Sequence, residues 1–171
     1  IRNKKEGLDT AHKTAYNYSI RNNYDFLITM DADLSHEPKA IPEFINELKT
    51  NAFVLGSRYM KGGKCDMEGF RFLLSYLGNK FIRLIFNIDC HEFTTSFRGF
   101  NLKKLGDFNL KNISSKGYSF FTETIYQINN KGFFIKQIPI YFHDRKKGVS
   151  KIPKIEIFRT LLNIFILKFK K

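Results

Sequence analysis

The feature that most constrains the fold is a short apolar run that ends in two carboxylates. Residues Tyr24-Asp25-Phe26-Leu27-Ile28-Thr29-Met30 follow Asn22-Asn23 and have the length and mostly apolar content of a buried strand. Asp31-Ala32-Asp33-Leu34-Ser35-His36-Glu37-Pro38 comes next. Beyond it Ile41, Phe44, Ile45 and Leu48 recur at i, i+3, i+4 and i+7, one face of a helix. Asp31 and Asp33 therefore sit where a strand gives way to a helix. In an open α/β sheet the crevice beyond the carboxyl ends of the strands is where ligands bind. Paired hard oxygens there suit Mg²⁺ or Mn²⁺ on a diphosphate. An acidic turn that favours the start of the next helix explains the same residues, and the motif alone does not choose between the two.

The flanking segments set the fold class. Leu8, Ala11 and Ala15 mark a modest helix face that runs to about Ile20. Pro38, a good first-turn residue, opens a helix that reaches Lys49, and Phe53-Val54-Leu55-Gly56 is a second short strand. Helix, strand, helix, strand is the rhythm of an α/β protein with a mostly parallel sheet. An apolar-rich helix over 70–88 follows, interrupted by Arg71, Lys80 and Arg83; it suits a core helix or, given its wide apolar arc, one lying in a membrane interface or against a partner. Thr94-Thr95-Ser96-Phe97-Arg98-Gly99-Phe100 reads as a loop entering a strand. Residues Ser119 to Asn130 read as a helix stopped by Gly132. The run from Phe133 to Phe142 reads as a strand that Pro139 sends to a sheet edge. The chain closes on an amphipathic helix from Ile155 to Phe169.

Charge narrows the partners. Lys and Arg number 29 against 16 Asp and Glu, a net +13, which favours an anionic partner or a lysine-rich solvated surface. The 19 Phe fall mostly at core-like spacing rather than among basic residues on one surface, so nucleic acid is not expected. Cys65 and Cys90 have neither metal spacing nor a disulfide framework, which suits a reducing compartment. There is no signal-peptide pattern and no apolar run of bilayer-spanning length.

Three arginines follow short strands or turns: Arg58, Arg98 and Arg145. A guanidinium fork binds phosphate in a bidentate way, though such residues also serve as ordinary ion-pair partners. Around Arg145 stand Lys146, Lys147, Gly148, Ser150 and Lys151, a plausible anion nest or simply a basic surface. Glu123, among Phe120, Phe121 and Ile125, is placed either to orient a cation or substrate hydroxyl or to face solvent. His12, His36, His91 and His143 form no ligand spacing, and neither a Ser-His-Asp triad nor a phosphate-binding glycine loop is present.

Five motifs in order carry a resemblance. They are Met30 to Pro38 with Ile41-Pro42-Glu43-Phe44, Gly56-Ser57-Arg58-Tyr59, Thr95-Ser96-Phe97-Arg98, Lys116-Gly117-Tyr118-Ser119-Phe120 with Glu123, and Asp144-Arg145 with Gly148, Ser150 and Lys151. Together they resemble the family 2 glycosyltransferases, and within them the dolichyl- or polyprenyl-phosphate mannosyltransferases. The resemblance implies a GT-A type, Rossmann-like domain over 1–151 and a C-terminal helix over 152–171 lying in a membrane interface. It implies inverting transfer of mannose from GDP-mannose to a polyprenyl phosphate at the cytoplasmic face of a membrane, without a span of its own. By similarity Asp31, Asp33 and Ser35 hold Mg²⁺ or Mn²⁺, and Asp33, Arg58, Arg98 and Glu123 serve catalysis. Arg58 and Arg98 meet the acceptor phosphate; Arg145, Ser150 and Lys151 meet the donor phosphates. The family's opening strand, with its Pro-x-Tyr-Asn-Glu-like motif and second acidic cluster, has no counterpart in this sequence, and Asp9 stands where a small residue is usual. This leaves the donor open. Transfer of glucose or another sugar from a UDP donor to the same lipid, or a truncated non-catalytic remnant or subunit needing an anchoring or complementing partner, stands as the alternative.

Overall fold

The computed structural model describes residues 6–144 and 154–169. A four-stranded sheet forms the floor, in the order β1 (Phe26–Thr29), β4 (Arg98–Asn101), β2 (Phe53–Ser57), β5 (Ile135–Pro139). β4 runs antiparallel to both neighbours, whereas β2 and β5 are parallel, so three of the four strands point the same way. The mixed α/β sheet with flanking helices agrees with the expected fold class. β5 lies at an edge, where Pro139 costs no ladder bond. A second, two-stranded parallel ribbon pairs β3 (Lys64–Cys65) with β6 (Tyr141–Phe142).

Burial differs along the sheet. All five residues of β2 and all four of β4 are buried, while all four of the edge strand β1 are only partly so. The short helix α2 (Ile41–Leu48) puts Phe44 and Leu48 on β4, and the stacked Phe44–Phe97 pair, 4.3 Å between ring centres, closes that face. On the other face Phe53, Leu55, Phe100, Phe120, Phe121 and Ile125 join the larger core. It is covered by α1 (Leu8–Arg21), α3 (Gly69–Phe86), α4 (Ser119–Asn130) and α5 (Lys154–Phe169). Burying each large side chain of this kind contributes about 1.5–3 kcal/mol.

Two local findings correct the sequence reading. In α1 the buried face is Asp9, His12, Tyr16 and Ser19, not Leu8, Ala11 and Ala15. Two of its polar members have partners: the Tyr16 hydroxyl donates to Phe108 O at 3.0 Å, and Asp9 accepts from Gly117 N–H at 3.3 Å. His12 packs between Phe120 and Phe121, and burial pulls its pKa down to about 4, so it stays neutral. The second is the expected run from Phe133 to Phe142, which divides between the two sheets at Ile140, with β5 in the floor and β6 in the ribbon. At the end of α4, Gly132 takes φ +82°, the left-handed stop that its position suggests.

Candidate active site

The loop after β1 is held from below by a histidine. The Asp31 N–H donates to His36 Nδ1 at 3.1 Å, which leaves Nε2 carrying the proton, 3.5 Å from Thr95 Oγ1. His36 is 2% exposed, and burial lowers its pKa despite the nearby Asp31 carboxylate. One turn on, Asp33 Oδ1 accepts from both the Ser35 N–H (3.1 Å) and the Ser35 hydroxyl (2.5 Å). Leu34 bridges them at φ 66°, a conformation that a leucine adopts only under constraint. Ser35 is fully buried, so its hydroxyl orients Asp33 rather than standing ready as a metal ligand. Among the described residues no group of three or more His, Cys, Asp or Glu could hold a metal. Asp31 and Asp33 keep part of their surface open, and two carboxylates completed by phosphate oxygens and water fit Mg²⁺ or Mn²⁺.

The loop is pinned to the ribbon as well. His143 N–H donates to Ser35 O at 3.0 Å, and the His143 ring bridges Glu37 (2.8 Å) and Asp66 (3.2 Å). The Tyr141 hydroxyl also reaches Asp66 at 2.6 Å. The hydrogen bond to Glu37, then that to Asp66, raises the His143 pKa above its ordinary value.

The arginines fare differently. Arg58 leaves the end of β2 and meets Glu92, with Nε at 2.7 Å from Oε2 and Nη2 at 3.3 Å from Oε1. The Glu92 side chain is fully buried and that of Arg58 is 9% exposed. Phe142 and Tyr59 lie under the guanidinium at 4.6 and 5.0 Å. Burial works against the Arg58 charge, yet the Glu92 carboxylate more than offsets it and the pKa rises. Gly63 allows this packing, since a Cβ there would stand 2.6 Å from Ser57 O and 2.8 Å from Arg58 O. Arg98, expected at an acceptor phosphate, is instead sealed inside at 1% exposure. Its Nε, Nη1 and Nη2 donate to the carbonyls of Thr95 (2.7 Å), Phe121 (2.9 Å) and Phe93 (2.9 Å). Glu123, 2% exposed, accepts from Ser114 N–H at 3.1 Å and Ser115 N–H at 2.7 Å. In this structure it holds the loop before α4. Arg145, Ser150 and Lys151 lie outside the described residues.

A cavity of about 760 Å³ joins these parts. Asp31, His36, Arg58 and the Thr94-Thr95-Ser96 segment line its polar end. Phe70, Leu73, Leu74 and Leu77 of α3 and Leu161 and Ile164 of α5 form an apolar wall. Ser96 is 4% exposed and its hydroxyl has no partner among the described residues, an uncommon state for a buried polar group that a ligand would relieve. Arg71 and Ser75, one helical turn apart on α3, line the same cavity. Tyr59 donates to Ser75 Oγ at 2.8 Å, and Arg71 pairs with Asp144 at 3.1 Å. Sequence reasoning took Arg71 as an interruption of an apolar helix and did not single out Ser75, although an i, i+4 Arg/Ser pair among leucines was the available signal. Glu92 carried none beyond its closeness to the Thr95 motif, and His36, inside the Met30–Pro38 motif, was read only as a histidine without ligand spacing.

Three comparisons bear on this geometry. A family model described as glycosyl transferase family 2 matches residues 1–108. The chain is 30% identical over 165 residues to the polyprenol monophosphomannose synthase of Mycolicibacterium smegmatis, covering 95% of this chain and 62% of that protein. It is 29% identical over 164 residues to the undecaprenyl-phosphate mannosyltransferase of Micrococcus luteus, covering 95% of this chain and 68% of that protein. The chain thus spans less than two thirds of the length of the first of these relatives.

Proposed function

The chain belongs to the family 2 glycosyl transferases, and from that premise we propose that it serves the transfer of a sugar from a nucleotide donor to a polyprenyl phosphate. The specific pair we assign is mannose from GDP-mannose, with inversion, at a membrane surface. The observation that carries this reading is the shape of the cavity. A polar end with a carboxylate and a cation opens onto an apolar wall, which matches a lipid with a phosphate head.

The chemistry asks little of a general base, because an acceptor phosphate oxygen is already anionic near neutral pH. Arg58, Arg71 and Ser75 are assigned to hold that phosphate, in place of Arg98. The Ser96 hydroxyl and the Thr94–Ser96 backbone, which line the same end of the cavity as Arg58, are assigned to that phosphate as well. Asp31 and Asp33 would hold the divalent ion, with Ser35 fixing the Asp33 rotamer. When bound, the ion neutralises charge that develops on the leaving diphosphate. Arg145, Ser150 and Lys151 remain assigned to donor phosphates. Exposed Phe70 and Leu84 of α3, each 78% exposed, and Phe169 of α5, 75% exposed, support seating on lipid. Among the described residues no helix is long and apolar enough to cross a membrane.

The test is transfer of labelled mannose or glucose from GDP-mannose or UDP-glucose to a short polyprenyl phosphate, with Mn²⁺ or with EDTA. We expect mannose transfer that EDTA abolishes and that Asp33→Ala lowers by about a hundredfold or more. Activity that ignores both overturns the metal assignment. Polyprenyl-phosphate binding without any transfer restricts the chain to the acceptor half of the reaction.

A further inference from the structure

One carboxylate stands behind the polar end of the cavity, and no motif singled it out. Glu92 belongs to neither strand nor helix, yet its side chain is fully buried. Its two oxygens tie together separate pieces of chain. Arg58 Nε and Nη2 approach from the end of β2, and the Thr94 N–H (3.3 Å) and hydroxyl (2.7 Å) approach from the segment leading to β4. Both Arg58 and Thr94 line the cavity. Because Glu92 takes Nε and Nη2, the guanidinium has its orientation set, and Nη1 makes no hydrogen bond among the described residues. Phe142 and Tyr59, stacked on the guanidinium, hold its plane.

We propose that Glu92 is a positioning residue for the acceptor phosphate. It presents the free edge of Arg58 and the Thr94–Ser96 segment as one preorganised unit. This rests on the reading of the cavity as the polyprenyl-phosphate site. The competing role for a buried carboxylate here is to mask the arginine's charge until ligand arrives. The two roles predict opposite signs. If Glu92 positions Arg58, its removal weakens phosphate binding, because the fork loses its orientation. If it masks Arg58, its removal strengthens binding, because the phosphate no longer competes with a carboxylate.

The experiment compares farnesyl phosphate with farnesol, titrated calorimetrically into the full chain, its Glu92→Gln variant and its Glu92→Asp variant. Wild type preferring the phosphate establishes the cavity reading; no preference overturns that reading and this inference with it. Given that preference, we expect Glu92→Gln to lose about tenfold in affinity for farnesyl phosphate, the scale usual for an outer partner of a ligand-binding group, while farnesol binding is unchanged. Glu92→Asp keeps the charge but shortens the reach, so it too binds the phosphate more weakly than wild type. It decides the matter if Glu92→Gln does not fold. In the transfer assay the loss falls on the acceptor KM and spares the donor KM. Tighter or unchanged phosphate binding in Glu92→Gln, or an Asp variant equal to wild type, overturns the positioning role, as does equal loss of farnesol and farnesyl phosphate binding.

Discussion

The surroundings of Arg58 and of Arg98 are adjacent, since Leu55 near the end of β2 pairs directly with Arg98 at the start of β4. They use the same side chain for opposite ends. Around Arg98 each nitrogen of the fork donates to a backbone carbonyl, and at 1% exposure the group is closed off from a ligand. Around Arg58 a single carboxylate holds one edge and aromatic rings support the plane, at the wall of a cavity. A pair of glutamates repeats the contrast. Glu123 gives its oxygens to the loop at Ser114 and Ser115, whereas Glu92 gives its own to Arg58 and Thr94. A charged group closed by backbone partners is architecture; one closed on a single side chain at a cavity wall is available to function.

The sharpest way to break this contrast is Arg98→Ala. It strands three buried carbonyls and empties a fully buried site, and we expect a loss of about 3–5 kcal/mol in unfolding free energy or failure to fold, read by urea denaturation. A mild effect would return Arg98 to the candidate phosphate ligands. Glu123→Ala should cost about 1–3 kcal/mol by the same measurement, from the two amide donors it orphans. A selective loss of phosphate binding, with stability intact, would contradict its structural role.

Arg58→Lys keeps the charge, loses the fork and tests the other side. We expect about a tenfold loss of farnesyl phosphate affinity with cooperative unfolding retained. The smallest effect lies at the strand that stacks Phe142 under Arg58. His143 beside it has a raised pKa, so its contribution is fully present below the ordinary histidine value of about 6.5 and is lost as pH rises through the raised one. Melting temperatures at pH 6 and pH 8 should show wild type losing more on alkalinisation than His143→Gln. The lowered pKa of His36 acts in the opposite direction, favouring the fold above pH 6.5, and is common to both proteins.

Local periodicity made much of the fold legible. The helix read over Ser119 to Asn130 is observed with those bounds, and the strand leading to Asp31 and the strand from Phe53 are in place. The reversed direction of β4 was not legible, because partner choice depends on contacts such as Val54 with Gly99 that no local pattern encodes. The site divides in the same way. Asp31, Asp33 and Arg58 lie in short motifs that a local reading can single out, and Asp31 and Arg58 line the cavity. The fate of Arg98 depended on carbonyls up to 23 residues away at Phe121, and the importance of Arg71 and Ser75 on a cavity that exists only once α3 and α5 meet.

The apolar wall has a consequence for handling the protein in solution. Phe70, Leu73 and Leu77 of α3 and Leu162 and Phe165 of α5 remain exposed on a chain of net charge +13. At low ionic strength that charge keeps molecules apart. Salt shortens its reach to about 8 Å at 0.15 M, so apolar faces can then meet and aggregation follows. If the chain seats on anionic lipid as proposed, the same addition works in reverse there, releasing protein as attraction is screened. Ionic strength is therefore a lever with two signs, and the crossover between self-association and lipid release marks how the two forces balance on one surface.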